Sequence, residues 1–159
     1  MIAMALACMP PIVIADEPTT ALDVMIQAQI IELLMQLREK LQTAVMLVTH
    51  DLGVVAEMCD SVMVMYSGVV AEYADVDTIF NNPLHPYTQE LLKAIPDLHR
   101  PNEKLRSIPG YPPQLNNLPQ GCRFSPRCPK ATDICFSEQP QVVQVAPGHY
   151  ASCHLVESR

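Results

Sequence analysis

Two sets of side chains in this sequence have the types and spacing to do chemistry. The first is Asp16-Glu17, two adjacent carboxylates at the end of the apolar run Ile12-Val13-Ile14-Ala15, with His50 two residues after a second apolar run, Ala44 to Val48. Ligands bind outside the carboxyl ends of strands in open α/β sheets, and adjacent carboxylates repel unless a cation sits between them. One acid could hold Mg²⁺ while its neighbour polarises an attacking water, as nucleotide hydrolysis requires. A solvated strand end before Pro18 fits the pair equally well, and a lone His at a strand end is ordinarily a capping or solvated residue. The second set is Cys122, Cys128, Cys135 and Cys153, spaced C-x5-C-x6-C-x17-C. Zinc and an iron-sulfur cluster are nearly level on that spacing, although structural zinc sites favour tighter pairs. Two disulfides, or four thiols without a ligand, would also fit it.

The elements that must position the first set alternate. A strand at 12–15 is followed by a helix from Val24 to Leu41, a strand at 44–48 and a helix from Asp51 to Met58. Ile26, Ile30, Leu33, Leu34, Leu37 and Leu41 form the helix's apolar stripe, and Asp23 is placed as its N-cap. Unbroken apolar strands between amphipathic helices predict a parallel sheet buried on both faces. Cys8, Met25, Met35 and Cys59 are expected to pack in the core. The apolar start, Met1 to Pro11, lacks the basic flank of a secretory signal and is expected to be a buried helix. Runs 61–66 and 68–73 around Ser67-Gly68 predict a hairpin or two edge strands.

Composition changes near Pro83. Residues 1–82 carry 2 basic and 11 acidic side chains, whereas 83–159 carry 8 and 6, and only 3 of the 15 prolines precede the change. The expected domains are therefore 1–82 and 83–159. The second has a helix at Tyr87–Ile95 and is otherwise loop-rich, leaving the cysteines as the candidate source of stability. The net charge of −7 leaves no basic footprint for nucleic acid, and no apolar run reaches the roughly 18 residues of a membrane span.

The ordered string Ile12-Val13-Ile14-Ala15-Asp16-Glu17, Pro18-Thr19-Thr20-Ala21-Leu22-Asp23 and Val48-Thr49-His50-Asp51 resembles the ABC-transporter ATPases. The segment Asn82-Pro83-Leu84-His85-Pro86-Tyr87-Thr88 resembles the start of the C-terminal extension in the peptide and nickel importers of that family, where the physical alternative is a Pro-initiated surface helix and His85 is structural. The resemblance implies the second part of a P-loop-type (RecA-like) α/β core, followed by a Pro- and Cys-rich extension. By it, Asp16 is the Mg²⁺-site acid, Glu17 the base that orients water, His50 the γ-phosphate contact and Asp23 a contact across a nucleotide-bound dimer. ATP and Mg²⁺ are then the ligands of the complete subunit. Its partners would be a second ATPase subunit, two membrane permeases and, indirectly, an extracytoplasmic peptide-binding protein, at the cytoplasmic face of the inner membrane. Gly121-Cys122, Pro126-Arg127-Cys128-Pro129 and Ser152-Cys153-His154 resemble the cysteine motif of dipeptide-importer ATPases, which implies a 4Fe-4S cluster whose charge Arg123, Arg127 and Lys130 would offset.

No Gly-x-x-x-x-Gly-Lys-Ser/Thr phosphate loop and no Leu-Ser-Gly-Gly-like signature loop occurs among the 159 residues. The resemblance implies that Met1–Cys8 belongs to the helix after that signature loop, so that the chain covers about the second half of a parent subunit. The chain alone is then expected not to hydrolyse ATP. The competing readings are a non-catalytic metal-cluster interaction module and a soluble ABC protein acting outside transport.

Overall fold

The computed structural model describes residues 2–20, 22–95 and 107–156. By contacts the chain falls into two compact units, Met1–Cys59 and Asp60–Arg159, and the fold of each is mixed α/β.

The first unit contains α1 (Ile2–Leu6), β1 (Ile12–Asp16), α2 (Val24–Leu41), β2 (Ala44–Val48) and α3 (Leu52–Met58). The strands pair in parallel, Ile12 opposite Ala44 through Asp16 opposite Val48, so both end at the same edge. Asp23 caps α2 as its position predicts, its Oδ1 accepting from Ile26 N at 2.9 Å. Gln42, in the left-handed region at φ 52°, ends that helix and returns the chain to β2. Ile31 and Leu34 of α2 close a core with Val54 and Met58 of α3, and Val45 and Leu47 pack against it.

Burial differs from the sequence expectation here. Among the described residues only one face of the strand pair is covered: alternation places Val13, Ala15, Val45 and Leu47 inward, while Ile14 and Met46 are more than half exposed. The strands are as apolar as those of a sheet covered twice, but α2 and α3 both belong to one core. For the same reason the buried stripe of α2 is narrow, and Ile26, Leu33 and Leu41 of the expected stripe stay exposed. Cys8 and Met25, expected in the core, are exposed, while Met35 does pack there and Cys59 is half-buried. Helix α1 is short, and Met4 and Met9 lie open to solvent rather than buried.

The second unit is built on a four-stranded antiparallel sheet in the order β3 (Ser61–Tyr66), β4 (Val69–Asp75), β6 (His149–Ala151), β5 (Val143–Ala146). Ser67 (φ 46°) and Gly68 (φ 84°) form the two-residue β3–β4 loop, whose paired left-handed conformations match strand twist. Helices α4 (Val76–Asn81) and α5 (Pro86–Lys93) follow; Val64, Ala71, Ala74 and Ile79 form the core, with Tyr87 and Leu91 of α5 against it.

The late part of the chain has more order than its lack of periodicity predicts. Besides β5 and β6 it contains a 3-10 turn at Ser125–Arg127 and helix α6 (Asp133–Ser137). Phe124 is 1% exposed, within a ring of Tyr66, Tyr87 and His85 at centroid distances of 5.2, 5.4 and 6.1 Å. Arg127 donates to the carbonyls of Ile108 and Pro109 and to the Tyr66 hydroxyl. The cysteines are therefore not the sole source of stability beyond residue 83, since one buried aromatic ring and a guanidinium tie these loops to the sheet.

Candidate active site and thiol cluster

Parallel pairing brings the first chemical set together. Because β1 and β2 end in register, the residues after them emerge side by side, and Glu17 N donates to Val48 O at 2.8 Å, one step past the ladder. Glu17 lies at φ 43°, an uncommon conformation for a residue with a Cβ, immediately before Pro18, which disfavours the right-handed helical region there. The turn is closed by Thr20 N donating to Glu17 O at 3.1 Å.

The Glu17 carboxylate is gripped at both oxygens. Oε1 lies 3.1 Å from His50 Nδ1, and Oε2 accepts from Thr20 Oγ1 at 2.7 Å. An ionised carboxylate only accepts, so Nδ1 carries the hydrogen in this contact. The Thr20 hydroxyl first, and the His50 ring second, hold the Glu17 carboxyl below its ordinary value. The pair is open to solvent, with side-chain exposures of 81% for His50 and 45% for Glu17.

His50 is set by its neighbour. Asp51 Oδ1 caps α3 through Gly53 N and Val54 N, and its Oδ2 accepts from Gln27 of α2 at 2.9 Å. Asp16, at the tip of β1, is exposed beside Glu17. Asp23 spends Oδ1 on its cap, and no contact described for it reaches Glu17 or His50. Thr20 and Gln27 are parts of the site that residue type and spacing did not single out. The Thr20 signal was present, since a hydroxyl three residues after a carboxylate, across a proline turn, can reach back to it.

In the second unit, all four late cysteines are free thiols. Cys122 N donates to Cys135 O at 2.8 Å, a close approach that depends on Gly121, where a Cβ would lie 2.4 Å from Cys135 O. Ser125 N donates to Cys122 O, and Cys128 N donates to Ser125 O. Burial raises the Cys122, Cys128 and Cys153 thiols, and the Cys153 thiol feels those of Cys122, Cys128 and Cys135. The four thus gather within electrostatic reach of one another. They are not assembled as a ligand set, however: among the described residues no three His, Cys, Asp or Glu side chains stand close enough to hold a metal ion. The three expected offsetting cations each make bonds to other groups. Arg123 donates to the Ser67 carbonyl, Arg127 is engaged as described, and Lys130, which favours the Cys128 thiolate, donates to Gln89 Oε1.

No helix among the described residues is long and apolar enough to cross a membrane. Residues 71–135 match the family model described as "Oligopeptide/dipeptide transporter, C-terminal region". The chain is 54% identical over 157 residues to the oligopeptide transport ATP-binding protein AppD of Bacillus subtilis (strain 168), covering 99% of this chain and 48% of that protein. It is 53% identical over 154 residues to the dipeptide transport ATP-binding protein DppD of Escherichia coli (strain K12), covering 97% and 47%. It is 51% identical over 153 residues to the oligopeptide transport ATP-binding protein OppD of the same organism, covering 96% and 45%. Over nearly its whole length, then, the chain is similar to the ATP-binding proteins of oligopeptide and dipeptide transport, and it spans about half the length of the curated relatives it matches.

Proposed function

We propose that this chain supplies the water-activating half of an ATP-hydrolysing subunit that powers peptide import. The observation that carries the reading is the Glu17–His50 pair at the shared end of two parallel strands, on a chain half identical to peptide-transport ATP-binding proteins. Glu17 accepts hydrogen bonds from the attacking water and polarises it, which calls for a carboxylate that stays ionised, and Thr20 and His50 keep it so. His50, exposed and tethered through only one ring nitrogen, is the γ-phosphate contact. Asp16 is the Mg²⁺-site acid, and the ion supplies charge neutralisation on the phosphates. Asp23 is the contact across the dimer. Residues 1–82 are then the later part of a P-loop-type core and 83–159 its extension, a division by origin rather than by packing. The subunit works with a second ATPase subunit and two permeases at the cytoplasmic membrane face, and an extracytoplasmic binding protein delivers the peptide.

The test uses the full-length subunit, including the phosphate loop that these 159 residues lack. Glu17→Gln is expected to bind ATP normally and to lose hydrolysis, because removing the charge weakens the base without emptying the Mg²⁺ site. His50→Ala is expected to lower turnover more than affinity. Loss of ATP binding as the primary defect of Glu17→Gln would reassign Glu17 to structure. The 159-residue chain alone is expected to show no turnover.

A second reading concerns the thiols. The mutual influence of Cys122, Cys128, Cys135 and Cys153 and the close approach at Gly121 support a thiolate-held group there. So does the Ser125 hydroxyl, buried without a partner in the turn between Cys122 and Cys128. Such a group, a 4Fe-4S cluster or the rival zinc, would stabilise all four as thiolates against the burial that raises three of them. Brown protein with iron and sulfide after anaerobic purification is the expected result. Colourless protein with one zinc would keep the site and reject the cluster, and protein with neither would reject both.

A further inference from the structure

The Glu17 turn contains a hydroxyl that the resemblance to ATPases does not assign. Glu17 has a flexible side chain on an exposed edge, and its backbone is held in the left-handed region, which is unfavourable for a residue with a Cβ. Three bonds offset that cost and determine where the carboxylate points: Glu17 N to Val48 O, Thr20 N to Glu17 O, and Thr20 Oγ1 to Glu17 Oε2. The last is the shorter of the two contacts to the carboxylate, 2.7 Å against 3.1 Å for His50.

The two anchors differ in kind. His50 follows β2, and its side chain is 81% exposed, whereas Thr20 is in the same turn as Glu17. When His50 turns toward a phosphate, only the Thr20 hydroxyl remains on the carboxylate. A hydroxyl donating to Oε2 also leaves the other lone pair of that oxygen open to water.

We propose that Thr20 is a positioning residue for Glu17, its hydroxyl holding Oε2 so that the carboxylate keeps its aim whether or not His50 is engaged. The inference rests on the proposed role of Glu17 in hydrolysis. Steady-state ATPase kinetics of the full-length subunit in its assembled transporter test it, with Thr20→Val, Thr20→Ser and Glu17→Gln measured side by side. Thr20→Val, which keeps the shape and removes the donor, is expected to lower kcat about fivefold to tenfold at unchanged KM for ATP, the equivalent of one exposed hydrogen bond. Thr20→Ser should restore kcat. Wild-type kcat in Thr20→Val overturns the proposal, and so does Thr20→Ser failing as badly as Thr20→Val, which would make the side chain a packing element. If Thr20→Val does not assemble, Thr20→Ala read against Thr20→Ser makes the same comparison. A Glu17→Gln protein that hydrolyses ATP normally overturns the reading of Glu17 and this inference with it. An inactive Glu17→Gln beside a normal Thr20→Val overturns the Thr20 role alone.

Discussion

The molecule contains the same pair of side chains twice, in opposite surroundings. Glu17 and His50 meet at 3.1 Å in solvent, at the edge of a sheet with one open face. Glu72 and His149 meet at 2.8 Å with side-chain exposures of 0% and 8%. The buried carboxylate also accepts from Leu84 N at 2.7 Å and His85 N at 3.0 Å, so one side chain of β4 joins β6 to the turn that launches α5. His85 completes the knot by capping α5, Nδ1 accepting from Tyr87 N. Burial therefore decides what a Glu–His pair does. Removed from water, it must be fully partnered and it organises a fold; left in water, it adds little stability and keeps free lone pairs for a ligand.

Breaking the buried pair should have the largest effect on stability. Glu72→Ala leaves two backbone N–H groups and an imidazole buried without an acceptor, and is expected to destabilise the second unit by about 3–5 kcal/mol, read by chemical denaturation. A loss below ~1 kcal/mol would show that water replaces the carboxylate and that the two pairs are less different than their exposures suggest.

The comparison sharpens with pH. Burial first, opposed in part by the Glu72 charge and a bond to the Ser152 backbone, pushes the His85 imidazole down to about 4. Its folded value thus lies below the ordinary 6.5 of the unfolded chain, so the unfolded state binds the proton more readily between them. The stability tied to neutral His85 is complete above about pH 6.5 and is lost as the pH falls toward 4. This should amount to roughly 1–3 kcal/mol in denaturant midpoints across that window. A His85→Asn protein should lose much of that slope, and an unchanged slope would place the titration elsewhere.

A smaller effect is expected where backbone rather than charge is crowded. Gly121→Ala forces apart the Cys122 and Cys135 segments, because its Cβ would meet the Cys135 carbonyl. A loss of ~1–3 kcal/mol is expected by the same denaturation assay, together with increased thiol reactivity of Cys122. Wild-type stability would mean that the two segments separate freely. The smallest effect belongs to the exposed pair: Glu17→Ala and His50→Ala should leave the melting temperature within error of wild type. A marked drop in either would make that pair structural after all.

Residue order alone made the edge of the first unit legible. Apolar runs ending in Asp16-Glu17 and before His50, joined by a helix of the right length, can pair only in parallel through that crossover, and parallel pairing puts both ends together. Asp23 as an N-cap and the Ser67-Gly68 turn were equally plain, because caps and turns are local chemistry. Burial was not. Ile14 and Met46 carry the same alternation whether or not a neighbour covers them, and nothing local to Met25 or Cys8 distinguishes a core position from an open one. Phe124, in a stretch without period, finds its ring of Tyr66, Tyr87 and His85 only through contacts 37 to 58 residues away in the chain.

The sequence by itself thus determined the alternating strands and helices of the first unit, the β3–β4 turn, and which two strand ends present carboxylate and imidazole, since helix caps, turn residues and hydrophobic period act within a few residues. Only the tertiary structure decided that Glu72 rather than Glu17 is the buried acid, that Thr20 holds Glu17 Oε2, and that four dispersed thiols come within reach of one another. Those outcomes depend on packing between elements distant in sequence, where exclusion of water sets the strength of each polar contact.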